Sequence, residues 1–75
     1  IRAQVEFYFS EKNLLRDAFM REQIAASADG CVALPTIRGF ARVARMGLDD
    51  AELAEALRES TVLELSADRS TVRLR

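Results

Sequence analysis

Apolar positions recur with two different periods along this chain, and the change between them falls at Ser60. Before it the spacing is helical; after it apolar and polar residues alternate. Ile1, Val5 and Phe9 fall on one stripe of an ideal helix, which predicts a first helix over 1–9. Ser10 is a stop or cap, and a second helical stretch is expected over 13–26. Asp29-Gly30 marks a turn. Cys31-Val32-Ala33-Leu34 then reads as a brief extended segment, and Pro35 suits the first turn of a third helix ending near Gly47. Asp49 or Asp50 is placed to cap a fourth helix that buries Leu53, Ala54 and Leu57 and turns Glu52, Glu55 and Glu59 to solvent. Beyond Ser60, Leu63 and Leu65 alternate with Glu64, while Val72 and Leu74 alternate with Thr71, Arg73 and Arg75. That is strand periodicity, with a hairpin turn over 66–70. Helices followed by a two-stranded ribbon, with a short strand near Cys31 completing an antiparallel sheet, predict a mainly α chain of α+β class: a winged helix.

The balance of charge narrows what such a domain can do. Eleven Arg or Lys stand against twelve Asp or Glu, a net charge of −1, so no broad electrostatic attraction to a duplex is expected and any nucleic-acid contact must come from a local patch. The 75 residues make one domain with little room for an enclosed active site. Histidine is absent and no glycine-rich phosphate loop occurs, which removes the commonest general base and points away from an enzyme. Cys31 is the single cysteine, too few for an intrachain disulfide or a metal cage; it reads as a small apolar residue at a strand start, and no cofactor or metal is expected. No apolar run approaches the roughly 20 residues that span a bilayer, so no membrane contact is expected. The first helix starts mid-pattern, as in a fragment of a longer protein.

Four of the five aromatic residues, Phe7, Tyr8, Phe9 and Phe19, lie within the first nineteen positions, among Gln4, Asn13, Arg16 and Asp17. On a helix Gln4 falls between Phe7 and Tyr8, so an amide able to match the donor and acceptor edge of a base is flanked by rings on which bases stack. The competing reading is that these rings simply wrap a small core, as in a protein-interaction winged helix. Phe40 is open to the same two readings, core residue or pocket wall. Asp17 is either the N-cap of a helix restarting at Ala18 or an acceptor for the 2′- and 3′-hydroxyls of a terminal ribose. On an unbroken helix Asp17 and Phe19 point about 160° apart, so serving one pocket requires a helix start or break at Asp17. Arg38, Arg42 and Arg45 would share one face of the third helix, a basic stripe suited to phosphates or, in a DNA reader, to a major groove.

Taken together, Gln4-Val5-Glu6-Phe7-Tyr8-Phe9-Ser10, Asn13-Leu14, Arg16-Asp17 with Phe19, Arg21-Glu22-Gln23-Ile24, Asp29-Gly30 and Gly39-Phe40-Ala41-Arg42-Val43 resemble successive signatures of the La motif, the winged-helix domain of La and La-related proteins. The resemblance covers nearly the whole chain. The Glu-Gln-Ile stretch and the segments from Ala56-Leu57 to Val72-Arg73 look closest to the branch of genuine La and the La-related proteins that chaperone nuclear noncoding RNAs, telomerase RNA among them. It implies recognition of a uridine-rich, single-stranded RNA 3′ end with a free hydroxyl, an adjoining RNA recognition motif, other ribonucleoprotein subunits as partners, and a nuclear location. By position, Gln4 would read a uracil edge, and Phe7, Tyr8, Phe19 and Phe40 would form the stacking surface. Asp17 would bind the ribose hydroxyls, with Asn13 and Arg16 supporting or neighbouring it and Arg42 contacting phosphate. The chain departs from the family at Phe7, often Tyr, at Cys31, commonly aromatic, and at Ala41, where genuine La carries Asn.

Overall fold

Twelve buried apolar side chains form a single core: Val5, Phe9, Met20, Val32, Leu34, Ile37, Val43, Leu53, Ala54, Leu57, Leu63 and Val72. In the computed structural model, which describes all residues from Ile1 to Arg75, they are carried by α1 (Arg2–Tyr8), α3 (Ala18–Ala25), β1 (Val32–Ala33), α4 (Leu34–Arg38), α5 (Ala41–Ala44), α6 (Asp50–Leu57), β2 (Leu63–Leu65) and β3 (Thr71–Leu74), together with Phe9 just past α1. Only α2 (Glu11–Leu14) contributes no fully buried residue. The three strands are antiparallel in the order β1-β3-β2, with Val32 opposite Val72 and Leu63 opposite Leu74. The early strand therefore completes the sheet beside the C-terminal hairpin, the arrangement of a winged helix.

Two predicted helical stretches are broken, the first at Asp17, where a helix start is one of the two sequence readings. Over 13–26 the chain makes α2 and α3 instead of one helix. The Asn13 carbonyl accepts from the amides of both Arg16 and Asp17 at 3.0 Å, and the Asp17 side chain then accepts from the Met20 amide at 3.0 Å to start α3. A short carboxylate outcompetes helix continuation here because it supplies the acceptor that the restarted helix lacks. Similarly the third helix divides into α4 and α5, with Phe40 extended between them at φ −70°, ψ 137°. Ile37 and Val43 are both buried, yet on an unbroken helix they would point about 120° apart. The break at Gly39 and Phe40 lets both reach the core. Ile1 also departs from its expected stripe, being 37% exposed.

A joint that the hydrophobic pattern gave no sign of connects the two ends of the chain. Ser60 is buried, donates to Glu6 Oε2 at 2.6 Å, and accepts from the amides of Val62 at 3.2 Å and Leu63 at 3.0 Å. One hydroxyl thus ties α1 to the start of the wing. At the opposite end of α6, Asp49 and Glu52 form a reciprocal capping box. Glu52 and Glu55 on α6, and Glu59 just past its end, are all exposed as expected.

Candidate functional site

The exposed side of α1 presents Gln4, Phe7 and Tyr8 at spacings that share one helix face. The two helix breaks bring Asp17 from the start of α3, and Phe40, Ala41 and Arg42 from the start of α5, against that face. These seven residues line an open cleft of about 630 Å³. Two of its walls are rings, Tyr8 and Phe40, which meet edge to face with centroids 4.7 Å apart; outside the lining, Phe19 lies edge-on to Phe40 at 6.0 Å. Phe40 satisfies both of its sequence readings at once, packing on the core while lining the cleft.

Asp17 likewise fills two places in the geometry. Its Oδ1 caps α3 through the Met20 amide, while Oδ2 accepts from Asn13 Nδ2 at 3.3 Å. The same Asn13 nitrogen donates to the Tyr8 carbonyl at 2.9 Å. Asn13 therefore fastens the carboxylate to the end of α1 and fixes its orientation relative to the rings. A carboxylate has about four lone-pair positions, so each oxygen retains capacity for a donor arriving from the cleft.

Of the sequence-predicted site residues, Gln4, Phe7, Tyr8, Asp17, Phe40 and Arg42 converge on the cleft. Asn13, Arg16 and Phe19 do not line it. Asn13 stands behind Asp17, and Phe19, half exposed, flanks Phe40 from outside. Arg16 lies exposed on the bend between α2 and α3, with no carboxylate within ion-pair distance. The basic stripe of the third helix is corrected outright. Arg38 turns away from Arg42, donating from Nε to the Leu48 carbonyl at 2.9 Å and pairing with Asp50 at 2.9 Å, because the helix that would have aligned them is broken at Gly39. Ala41 joins the cleft through the same break.

The polar groups of the cleft are then an amide, a phenol, a carboxylate and a guanidinium, spaced among rings. Such a set stacks flat heterocycles, accepts hydroxyl donors and attracts a phosphate. No group of three or more His, Cys, Asp or Glu is placed to hold a metal, and no helix is long and apolar enough to cross a membrane.

Comparison with known proteins agrees on one family. Residues 1–59 match the model of the La domain. The chain is 42% identical over 72 residues to the La protein homolog of Drosophila melanogaster, covering 93% of this chain and 18% of that protein. It is 37% identical over 73 residues to La-related protein 7 of Mus musculus, covering 97% of this chain and 13% of the relative. The chain thus spans only a small part of these relatives' length. Among solved structures, a La autoantigen N-terminal domain superposes with a TM-score of 0.94 at 44% identity, over 99% of this chain and 80% of that one.

Proposed function

The chain belongs to the La motif family of RNA-binding domains, and from that premise we propose that its cleft holds the 3′-hydroxyl end of a single-stranded RNA finishing in uridines. The observation that carries the reading is the fixed carboxylate of Asp17 at the wall of a ring-lined cleft. A terminal ribose is the one place in an RNA where 2′- and 3′-hydroxyls occur together, and both donate hydrogen bonds to a carboxylate. In this reading Phe7, Tyr8 and Phe40 stack bases, Phe19 buttresses Phe40, and Gln4 meets a uracil edge. Arg42 contacts phosphate at the rim, Asn13 holds Asp17 in place, and Arg16 neighbours the pocket.

The physiological consequence would be protection of a nuclear noncoding RNA, a polymerase III-type transcript or a telomerase RNA, from exonucleases during ribonucleoprotein assembly. An RNA recognition motif elsewhere in the same protein would extend the contact upstream. A duplex-binding winged helix is the weaker reading, since Arg38 is committed to Asp50 and no arginine stripe forms.

The test compares two short uridine-ended RNAs differing only in a 3′-hydroxyl or a 3′-phosphate. The hydroxyl form should bind at least about tenfold more tightly, as expected for charge-assisted hydrogen bonds lost to a repelling phosphate. Asp17→Asn, which keeps an oxygen for the Met20 amide but turns a nitrogen toward Asn13 Nδ2, should abolish most of that preference and lower the melting temperature only by the loss of the one Asn13 hydrogen bond. Equal binding of the two RNAs by the unaltered protein would overturn the reading.

A further inference from the structure

The groups that line the cleft find their counterparts within a single nucleotide. Rings are there for a flat base, the Asp17 carboxylate for a pair of neighbouring hydroxyls and the Arg42 guanidinium for a phosphate. We propose that the cleft is also a site for free ribonucleoside 5′-phosphates, which compete with RNA ends for it. The inference rests on the 3′-end reading above and adds a second class of ligand to the same groups.

The last residue of an RNA is, in chemical terms, a ribonucleoside 5′-phosphate whose phosphate is esterified to the chain before it. Its base, its 2′- and 3′-hydroxyls and its 5′-phosphate are all present in the free nucleotide, whereas an internal residue has its 3′-oxygen esterified. Two features of the structure favour the small ligand. Asp17 is held before any ligand arrives, Oδ1 by the Met20 amide and Oδ2 by Asn13 Nδ2, so little further ordering opposes binding. Arg42 is exposed, with no carboxylate within ion-pair distance. A free nucleotide presents it with more charge than a strand does, since a phosphate monoester carries about 1.5–2 negative charges near pH 7 and a diester only one. That stronger attraction partly offsets the contacts that upstream nucleotides would add. Hydroxyls and 5′-phosphate sit on opposite sides of the ribose, so the pair of charges also sets orientation: the reverse placement would bring phosphate against the carboxylate. The cleft, at about 630 Å³, lies within the range of about 300–1,000 Å³ common to small-molecule sites.

The experiment displaces a 5′-labelled, uridine-ended RNA with a 3′-hydroxyl from the protein at fixed ionic strength. The competitors are uridine 5′-monophosphate, deoxyuridine 5′-monophosphate, uridine 3′-monophosphate, uridine and inorganic phosphate. Uridine 5′-monophosphate should displace the RNA with an inhibition constant of about 0.1–10 mM, the range left to one stacked base and a few charge-assisted bonds after the cost of association. The deoxy form lacks one hydroxyl for Asp17, the 3′-phosphate sets an anion against it, and uridine offers Arg42 nothing; each should need at least about fivefold more. The Met20 amide, bonded to Asp17 Oδ1, should shift in NMR spectra as uridine 5′-monophosphate is added. Absence of displacement up to about 30 mM, with the hydroxyl preference among RNAs intact, overturns this inference and leaves the 3′-end reading standing. Equal potency of the deoxy form or of uridine, or an unmoved Met20 amide, does the same. Equal potency of inorganic phosphate also overturns it, because screening or simple anion binding then accounts for the displacement. Loss of the hydroxyl preference among RNAs overturns both readings.

Discussion

The face built by α1, α3 and α5 and the half built by α6 and the wing handle charge in opposite ways. Residues 1–45 carry seven Arg or Lys against five Asp or Glu, whereas residues 46–75 carry four against seven. In the second half the arginines are mostly engaged: Arg58 and Arg69 with Glu55, and Arg73 with Glu64. In the first half Lys12, Arg16, Arg42 and Arg45 have no carboxylate partner, and Arg21 donates to the Leu14 carbonyl instead. Exposed ion pairs add little stability, so the pairing on α6 and the wing chiefly cancels local field. Cations left unpaired keep their charge available to phosphates. A near-neutral total therefore conceals an uneven distribution, a net +2 over residues 1–45 and −3 over residues 46–75, with the unpaired Arg42 at the cleft and the acidic fourth helix predicted from the sequence, here α6, outside its lining.

Two neighbouring rings on α1 and its end give the sharpest way to break that division. Phe9 is 1% exposed and Phe7 is 44% exposed, although they are two positions apart. Phe9→Ala should cost about 3–5 kcal/mol in urea or thermal unfolding, a large part of the total of about 4–11 kcal/mol expected for a chain of this size. Phe7→Ala should cost under about 1 kcal/mol of stability yet lose about 1–3 kcal/mol of RNA binding, the value of one stacked base. Comparable destabilisation by both variants would mean that Phe7 belongs to the core, and the face would no longer be a binding surface.

A smaller effect sharpens the same boundary from the other side. Ser60 ties Glu6 on α1 to the amides that begin β2, so its role is to join the halves rather than to meet a ligand. Removing the hydroxyl in Ser60→Ala leaves the Leu63 amide without its partner in a buried setting, which should cost about 1–3 kcal/mol. RNA affinity measured well below the melting temperature should stay within about twofold of the unaltered protein. A stability change below about 0.5 kcal/mol would show that water replaces the serine and that the joint is dispensable.

These contrasts also explain which parts of the molecule can be read along the chain. Val5 and Phe9, then Leu53, Ala54 and Leu57, then Leu63 and Val72 are where their periodicity puts them, since each stripe is decided within one element, whereas Leu74, at the end of β3, is 46% exposed. The N-cap at Asp17 was legible for the same reason, its partner Met20 being three residues away. The break before α5 was not, because nothing local forbids a helix through Arg38, Gly39 and Phe40; the demand comes from Ile37 and Val43 both needing the core. The arginine stripe failed with the continuous helix it assumed. Least legible were contacts between distant segments: Ser60 with Glu6, and Phe40 inserted between Tyr8 and Phe19. The La motif resemblance grouped Phe40 with the N-terminal rings, which local spacing could not do.

The tip of the wing offers the gentlest perturbation, and its sign is set by hydrogen bonding alone. Asp68 accepts from the Ser70 hydroxyl at 2.7 Å, the Ser66 hydroxyl at 2.7 Å and the Ser70 amide at 3.0 Å. Those donors, Ser70 first and then Ser66, hold its carboxyl at about 2 instead of 3.8, because each bond is made to the charged form. A depressed carboxylate contributes stability that is complete above the unfolded value and is lost as the proton returns. The turn, with Arg69 in the left-handed region at φ 60°, should therefore remain closed above 3.8 and loosen as pH falls from 3.8 toward 2. Asp68 lies in a fully exposed loop, so the change should be confined to the hairpin while the core and the cleft stay as they are. Proton titration followed through the Asp68 carboxyl and the Ser70 amide by NMR should give a midpoint near 2. A midpoint near 3.8 would mean that the serines do not hold the carboxylate in solution, and Asp68→Asn would then leave the wing's behaviour at low pH unchanged.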